Sequence, residues 1–182
     1  MDIADRIERQ TRISASVQVV WELIREPGWF INDGTLVEHR LEDRGDGVTA
    51  VHDPVHGEFL IRTETLQPPH YAAFRWIAEA PGPDDDADAS GEHETDGGDP
   101  GQHAPPPSTL VEFWIEESAD ATCILRVVES GFSSLPGSEA ERRRQVEENA
   151  QGWEEELALA RDHAEGASVQ AERGSQQEEV GR

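Results

Sequence analysis

Lysine is absent from the 182 residues: fifteen arginines stand against 39 acids, and the formal net charge is −24. Nucleic-acid binding needs clustered cations that release counterions from phosphates, so this balance argues against a nucleic-acid partner, and it repels anionic membrane surfaces as well. Nowhere is there the run of about 18 apolar residues that a membrane-spanning helix requires. The opening Met1-Asp2-Ile3-Ala4-Asp5-Arg6 lacks the basic and apolar segments of a secretory leader, so a cytoplasmic protein is expected. The single cysteine, Cys123, can form no intramolecular disulfide and belongs to no CxxC metal motif; among apolar neighbours it is expected to be a small buried side chain. Neither a GxGxxG nor a Walker-type loop occurs, and βαβ alternation is missing, which removes nucleotide cofactors. No Gly-x-Ser-x-Gly elbow surrounds Ser130, Ser133 or Ser134, so nucleophilic hydrolysis has no support. His52 and His56 form His-x-x-x-His, but Pro54 between them prevents a helix and no Glu follows the first, so a metal is not expected. His39 and His70 stand singly and read as surface or turn residues.

What is present is a succession of short elements. Ile7 to Ile13 alternates apolar and polar residues, as in a strand with one wet face. Ser16 offers an N-cap oxygen, Val17, Val20, Trp21 and Ile24 recur at the spacing of one helix face, and Pro27-Gly28 ends that helix. Strand-like runs follow near 36–42, 48–53, 58–66 and 71–78, separated by turn-forming residues, and two more near 108–117 and 122–129. The whole reads as an antiparallel sheet of about seven strands.

Between Pro81 and Pro107 the composition changes to eight acids, His93 and His103, no Arg, and abundant Gly, Pro and Ala. Such a segment buries too little apolar area to offset backbone entropy, and a disordered acidic insert is expected at about 81–107. A long helix is expected to start near Ser138 and to carry Val146, Ala150, Trp153, Leu157 and Ala160 on one stripe. Beyond about residue 165 the periodicity fades into Gly, Ser, Gln and Glu, so 1–164 is read as one domain and 165–182 as a disordered tail.

Val127-Val128-Glu129-Ser130-Gly131-Phe132, Asn149-Ala150-Gln151-Gly152-Trp153, Ile13 through Trp21 and Phe74-Arg75-Trp76 together resemble the START-like (SRPBCC) superfamily, in the branch named for the activator of the heat-shock protein 90 ATPase (AHSA-like). The resemblance covers roughly residues 5 to 162 apart from the insert. It implies an α+β helix-grip fold: a curved antiparallel sheet, a short N-terminal helical pair, and a long C-terminal helix lying over an apolar cavity. Gly152 is expected to let that helix approach the sheet closely.

The cavity candidates that follow are Trp21, Phe59, Phe74, Trp76, Phe113, Val146, Trp153 and Leu157. Phe74, Trp76, Val111, Phe113 and Ile115 share one strand parity, while Tyr71, Arg75, Glu112 and Trp114 share the other, and alternation alone does not say which set faces inward. If the apolar set is inside, Arg75 and Glu112 are outer-face neighbours; if not, Arg62 or Arg75 anchors an acidic group of an otherwise apolar ligand. Glu129, at a strand end before Gly131-Phe132, is either a buried hydrogen-bonding acid or a third polar anchor. No residue set marks a catalytic site, a cofactor or a metal. The expected function is the binding of a small hydrophobic molecule beneath the C-terminal helix. The alternatives are a co-chaperone-like ATPase activator that contacts a protein partner, and a cyclase- or aromatase-type enzyme.

Overall fold

The computed structural model describes residues 5–77 and 107–179. Chain order runs through β1 (Arg6–Ile13), α1 (Val17–Ile24), β2 (Arg40–Gly45), β3 (Val48–Asp53), β4 (Gly57–Gln67), β5 (Tyr71–Ile77), β6 (Leu110–Glu117), β7 (Cys123–Ser130) and α2 (Glu139–Glu179). The seven strands form one antiparallel sheet in the order β1-β7-β6-β5-β4-β3-β2, a meander from β2 to β7 with the first strand added beyond the last. The insert expected at 81–107 lies outside the described residues except for Pro107. No helix among the described residues is long and apolar enough to cross a membrane.

Strand parity is resolved by burial. Val51, Ile61, Phe74, Val111, Phe113, Ile115, Leu125 and Val127 are buried on the face covered by α1 and α2. On the opposite face Tyr71 Oη donates to Glu112 Oε1 at 2.7 Å, Tyr71 stacks on Trp114, and Arg126 lies 4.5 Å over the Trp114 ring. Burial, and then the bond to Glu112, pushes the Tyr71 hydroxyl up to about 12. Arg75 pairs with Glu64 at 2.9 Å on that same outer face, so the arginine is a surface partner of an acid.

Ser16 caps α1 through Val19 N, and Val17, Val20, Trp21 and Ile24 are its buried stripe. In place of a helical pair there is this single helix followed by a turn. Gly28 sits at φ +80°, and a Cβ there would lie 2.7 Å from Cγ1 of buried Val51, so the turn can close on the sheet only with glycine. That closure drives Trp29, Phe30 and Ile31 into the core.

The second strand starts at Arg40 where alternation suggests Leu36, because Asn32 Oδ1 takes the N–H of Val37 and holds 32–37 as a loop. His39, expected at the surface, is buried, with Nε2 3.1 Å from Asp53 Oδ2. Burial would raise the Asp53 carboxyl, but N–H bonds from His56 and Val55 and the contact with His39 hold it below its ordinary range.

α2 opens with a reciprocal cap: Ser138 Oγ accepts from Glu141 N at 3.3 Å while Glu141 Oε2 accepts from Ser138 N and Oγ. Those two bonds from Ser138 lower the Glu141 carboxyl. Trp153, Leu157, Ala160 and Ala164 are buried on the stripe, and Arg9 with Glu154 and Ser14 N with Glu165 tie the helix along β1. The helix then continues to Glu179, past residue 165 where a disordered tail is expected: apolar periodicity ends there, but Ala, Gln, Glu and Arg remain good helix formers. Cys123 is buried, and burial raises its thiol.

Candidate ligand-binding cleft

The space between sheet and helix, where an apolar cavity is expected, is largely filled by the protein's own rings. Trp29 and Phe30 from the turn after α1, Phe113 from β6 and Trp153 from α2 meet in contacts with centroids 5.1–5.8 Å apart, and Phe74 joins through Phe30 at 6.1 Å. Edge-on and tilted contacts of this kind set the aromatic layer rigidly. What stays open is a cleft of about 240 Å³ beside α2. It is smaller than the roughly 300–1,000 Å³ pockets that hold drug-sized molecules, so it suits a ligand of about one ring.

Three aromatic side chains wall this cleft, Phe30, Trp76 and Trp153, with Phe30 5.5 Å from Trp76 and 5.4 Å from Trp153. Glu129, Glu148 and Glu156 supply carboxylates, with Asn149 and Gly152 between them. Glu129 is 1 % exposed and serves as a hub: it accepts from Thr109 Oγ1 at 2.7 Å, from Asn149 Nδ2 at 3.1 and 3.2 Å, and from Trp153 Nε1 at 2.7 Å. Four such bonds satisfy a buried carboxylate without a cation. The bonds to Asn149 and Trp153 fix α2 against the end of β7, and Gly131, just beyond, turns the chain at φ +98°.

Glu156 is set differently. Asn32 Nδ2 donates to its Oε2 at 2.6 Å and to Trp29 O at 2.9 Å, joining the loop after α1 to the helix. Burial pushes the Glu156 carboxyl up to about 7, with the Asn32 bond opposing the rise and the charge of Glu155 adding to it. Folding therefore raises this carboxyl from its ordinary 4.5, so the native state holds a proton the unfolded chain has lost, and stability falls as pH rises between about 4.5 and about 7. Glu156→Gln is expected to remove this slope: compared by urea unfolding across the window, its advantage over the parent should grow by about 1–3 kcal/mol and stay level above it. A constant difference would show that Glu156 does not titrate there.

Of the side chains expected to line the cavity, Trp76 and Trp153 do line the cleft. Trp21, Phe74, Phe113 and Leu157 are packed in the core beneath, Phe59 stacks on Trp76 at 5.7 Å, and Val146 is half-buried against the core. Of the polar anchors, Glu129 belongs to the wall, whereas Arg62 and Arg75 are side by side on the outer face, paired across β4 and β5. Gly152 lines the cleft, and a Cβ there would meet nothing within 4 Å, so its role is to leave space and not to permit close approach. Phe30, Glu148 and Glu156 are the members that alternation misses. One signal was readable: Asn149, Gly152, Trp153 and Glu156 recur at i, i+3, i+4 and i+7, a polar patch on the stripe that should otherwise be apolar.

A larger groove of about 650 Å³ runs between α1 and the far part of α2, past Val19, Leu23, Leu36 and His163. Its acids, Glu22, Glu26 and Glu38, come with a single ring, Trp29, and Glu22 is taken by Gln18 and Arg25, so the smaller cleft, with three rings and the buried Glu129 hub, is the better-built site. Among the described residues no group of three or more His, Cys, Asp or Glu side chains is placed to hold a metal.

A seven-stranded antiparallel sheet gripping one long C-terminal helix, with an aromatic layer between, is the helix-grip architecture of START-like (SRPBCC) proteins. Protein MLL2253 from Mesorhizobium loti shares it at a TM-score of 0.56 and 12 % identity over 87 % of this chain and 95 % of that one. The Aha1 dimer from Colwellia psychrerythraea superposes at 0.53 with 12 % identity, over 88 % and 96 %. CalU16 from Micromonospora echinospora does so at 0.52 with 19 % identity, over 93 % and 83 %. These likenesses establish the fold. No family model matches the sequence, and no curated protein matches it.

Proposed function

We propose that the chain is a binding module that holds one small, largely apolar molecule in the cleft beside α2. The observation that supports it most is the convergence of three aromatic side chains, from the turn after α1, from β5 and from α2, on an opening that a glycine keeps clear. Aromatic side chains beside placed polar groups are features of small-molecule pockets in general, and here the two kinds line the cleft in comparable measure. The cleft is narrow because Trp29, Phe30, Phe113 and Trp153 occupy the rest of the grip, which favours a compact ligand over a lipid or polyketide.

Gly152→Leu tests the reading without unfolding the protein. Its side chain enters free space, and leucine exceeds glycine in helix propensity, so the variant should be as stable as the parent or better by up to about 1 kcal/mol. In native mass spectrometry of the protein purified from its own host, a small molecule should accompany the parent and be absent from Gly152→Leu. Retention by both, or by neither, removes the cleft as the binding site.

A second reading, an acid–base enzyme of cyclase type, is favoured by Glu156 alone: an acid pushed up to about 7 at a cleft is suited to exchange protons near neutrality. It requires that the bound molecule change on incubation with the protein, and that Glu156→Gln stop the change while still binding.

A further inference from the structure

We propose that the ligand of the aromatic cleft is a small organic cation, an ammonium carried on an apolar or aromatic body. This rests on the binding reading above and specifies its chemistry.

The rings come first. Phe30, Trp76 and Trp153 present aromatic surface to one opening, and ring faces carry the negative end of the quadrupole, which attracts a desolvated cation. A neutral apolar ligand would use the same rings, so the choice depends on the rest of the lining. That lining contains three carboxylates, Glu129, Glu148 and Glu156, and no arginine or histidine. Among the described residues nine arginines form ion pairs, with Glu8, Glu22, Glu42, Glu58, Glu64, Glu116, Glu139, Glu154 and Asp162, and none of these ion pairs involves a cleft carboxylate.

The three acids differ in what they can offer. Glu129 has its oxygens occupied by Thr109, Asn149 and Trp153, so it contributes field and not a direct contact. Glu148 stands exposed at the rim. Glu156 gives Oε2 to Asn32, while Oε1 accepts no hydrogen bond among the described residues and is free to face the positive charge of an ammonium group. A metal ion fits poorly, because no three-ligand cluster exists among the described residues. An anionic ligand would meet only like charge.

The charged groups facing Glu156 are Glu155 on its own helix, Glu148 two turns further back at the rim, and Glu129 from β7; Asn32 opposite is neutral. A bound cation would draw Glu156 back toward its ordinary carboxylate range, so binding should couple to its proton.

The test compares benzyltrimethylammonium with its uncharged carbon isostere, neopentylbenzene, titrated into the full chain and followed by tryptophan fluorescence and by the indole N–H resonances of Trp76 and Trp153. The cation is expected to bind about tenfold more tightly than the isostere or better, a preference in the range of desolvated cation–π contacts. Its affinity should fall several-fold between about pH 8 and about pH 5.5 as Glu156 gains a proton, and Glu156→Gln should flatten that dependence. Equal or tighter binding of the isostere overturns the cation proposal while leaving the binding module intact. Binding of neither probe, or binding unchanged in Gly152→Leu, overturns both.

Discussion

Trp153→Ala is expected to lower the unfolding free energy by about 3–5 kcal/mol, the range for deleting a large buried aromatic side chain. The indole is 5 % exposed and touches Phe30 and Phe113 at 5.4 and 5.7 Å, so its removal leaves a void in a layer whose other members are fixed to different elements. It also takes away the 2.7 Å bond to Glu129, leaving a buried acceptor short of one donor. Arg161→Ala on the same helix should change stability by only a few tenths of a kcal/mol, because the arginine pairs with the adjacent, exposed Asp162. Urea unfolding of the two variants checks the contrast; equal losses would mean that α2 packs by another face.

Glu129→Ala should be about as damaging, by roughly 3–5 kcal/mol, and for an electrostatic reason. Its carboxylate is the common acceptor for Thr109, Asn149 and Trp153, and truncation leaves three donors facing a dry pocket at about 1–3 kcal/mol each, less whatever water enters from the cleft. Glu129→Gln keeps the shape but must aim an NH₂ at groups that are themselves donors, so it should recover only part of the loss. Because Glu129 and Trp153 share a bond, the double alanine variant should lose less than the two singles combined. A Glu129→Ala protein within about 0.5 kcal/mol of the parent would show that these bonds are replaced by solvent at little cost.

The sheet was legible because it has one wet face, so alternation marked each strand, and the stripe Val146 to Ala160 marked the helix. Parity stayed open because both sets on β5 and β6 contain large side chains: Trp114 and Tyr71 are as bulky as Phe113 and Phe74, and on the outer face they are sheltered by Arg126 and by each other. This is also why Arg62 and Arg75 were plausible anchors although they face away from the helix. Trp29, Phe30 and Ile31 were not legible as core, since they lie in a turn with no period, and their burial depends on Gly28 meeting Val51 from another part of the chain. The cleft was half legible: Trp76, Trp153 and Glu129 stand on regular elements, whereas Phe30 and Glu156 are brought together by Asn32, a contact spanning more than a hundred residues.

The pairing of β1 with β7 bears on how the chain acquires its structure. Ile7 lies opposite Glu129, so β1 waits for β7, made more than a hundred residues later, before it gains this hydrogen-bonded neighbour. At typical synthesis rates that wait is on the order of ten seconds. Through it the strand offers a free backbone edge whose side chains on one side are Arg6, Glu8, Gln10 and Arg12, a polar row of the kind that discourages pairing with other nascent chains. The meander from β2 to β7 joins near neighbours, whereas closure by β1, together with the α2 contacts along it, joins parts of the chain far apart in sequence, the kind of pairing that costs the most loop entropy before it is formed.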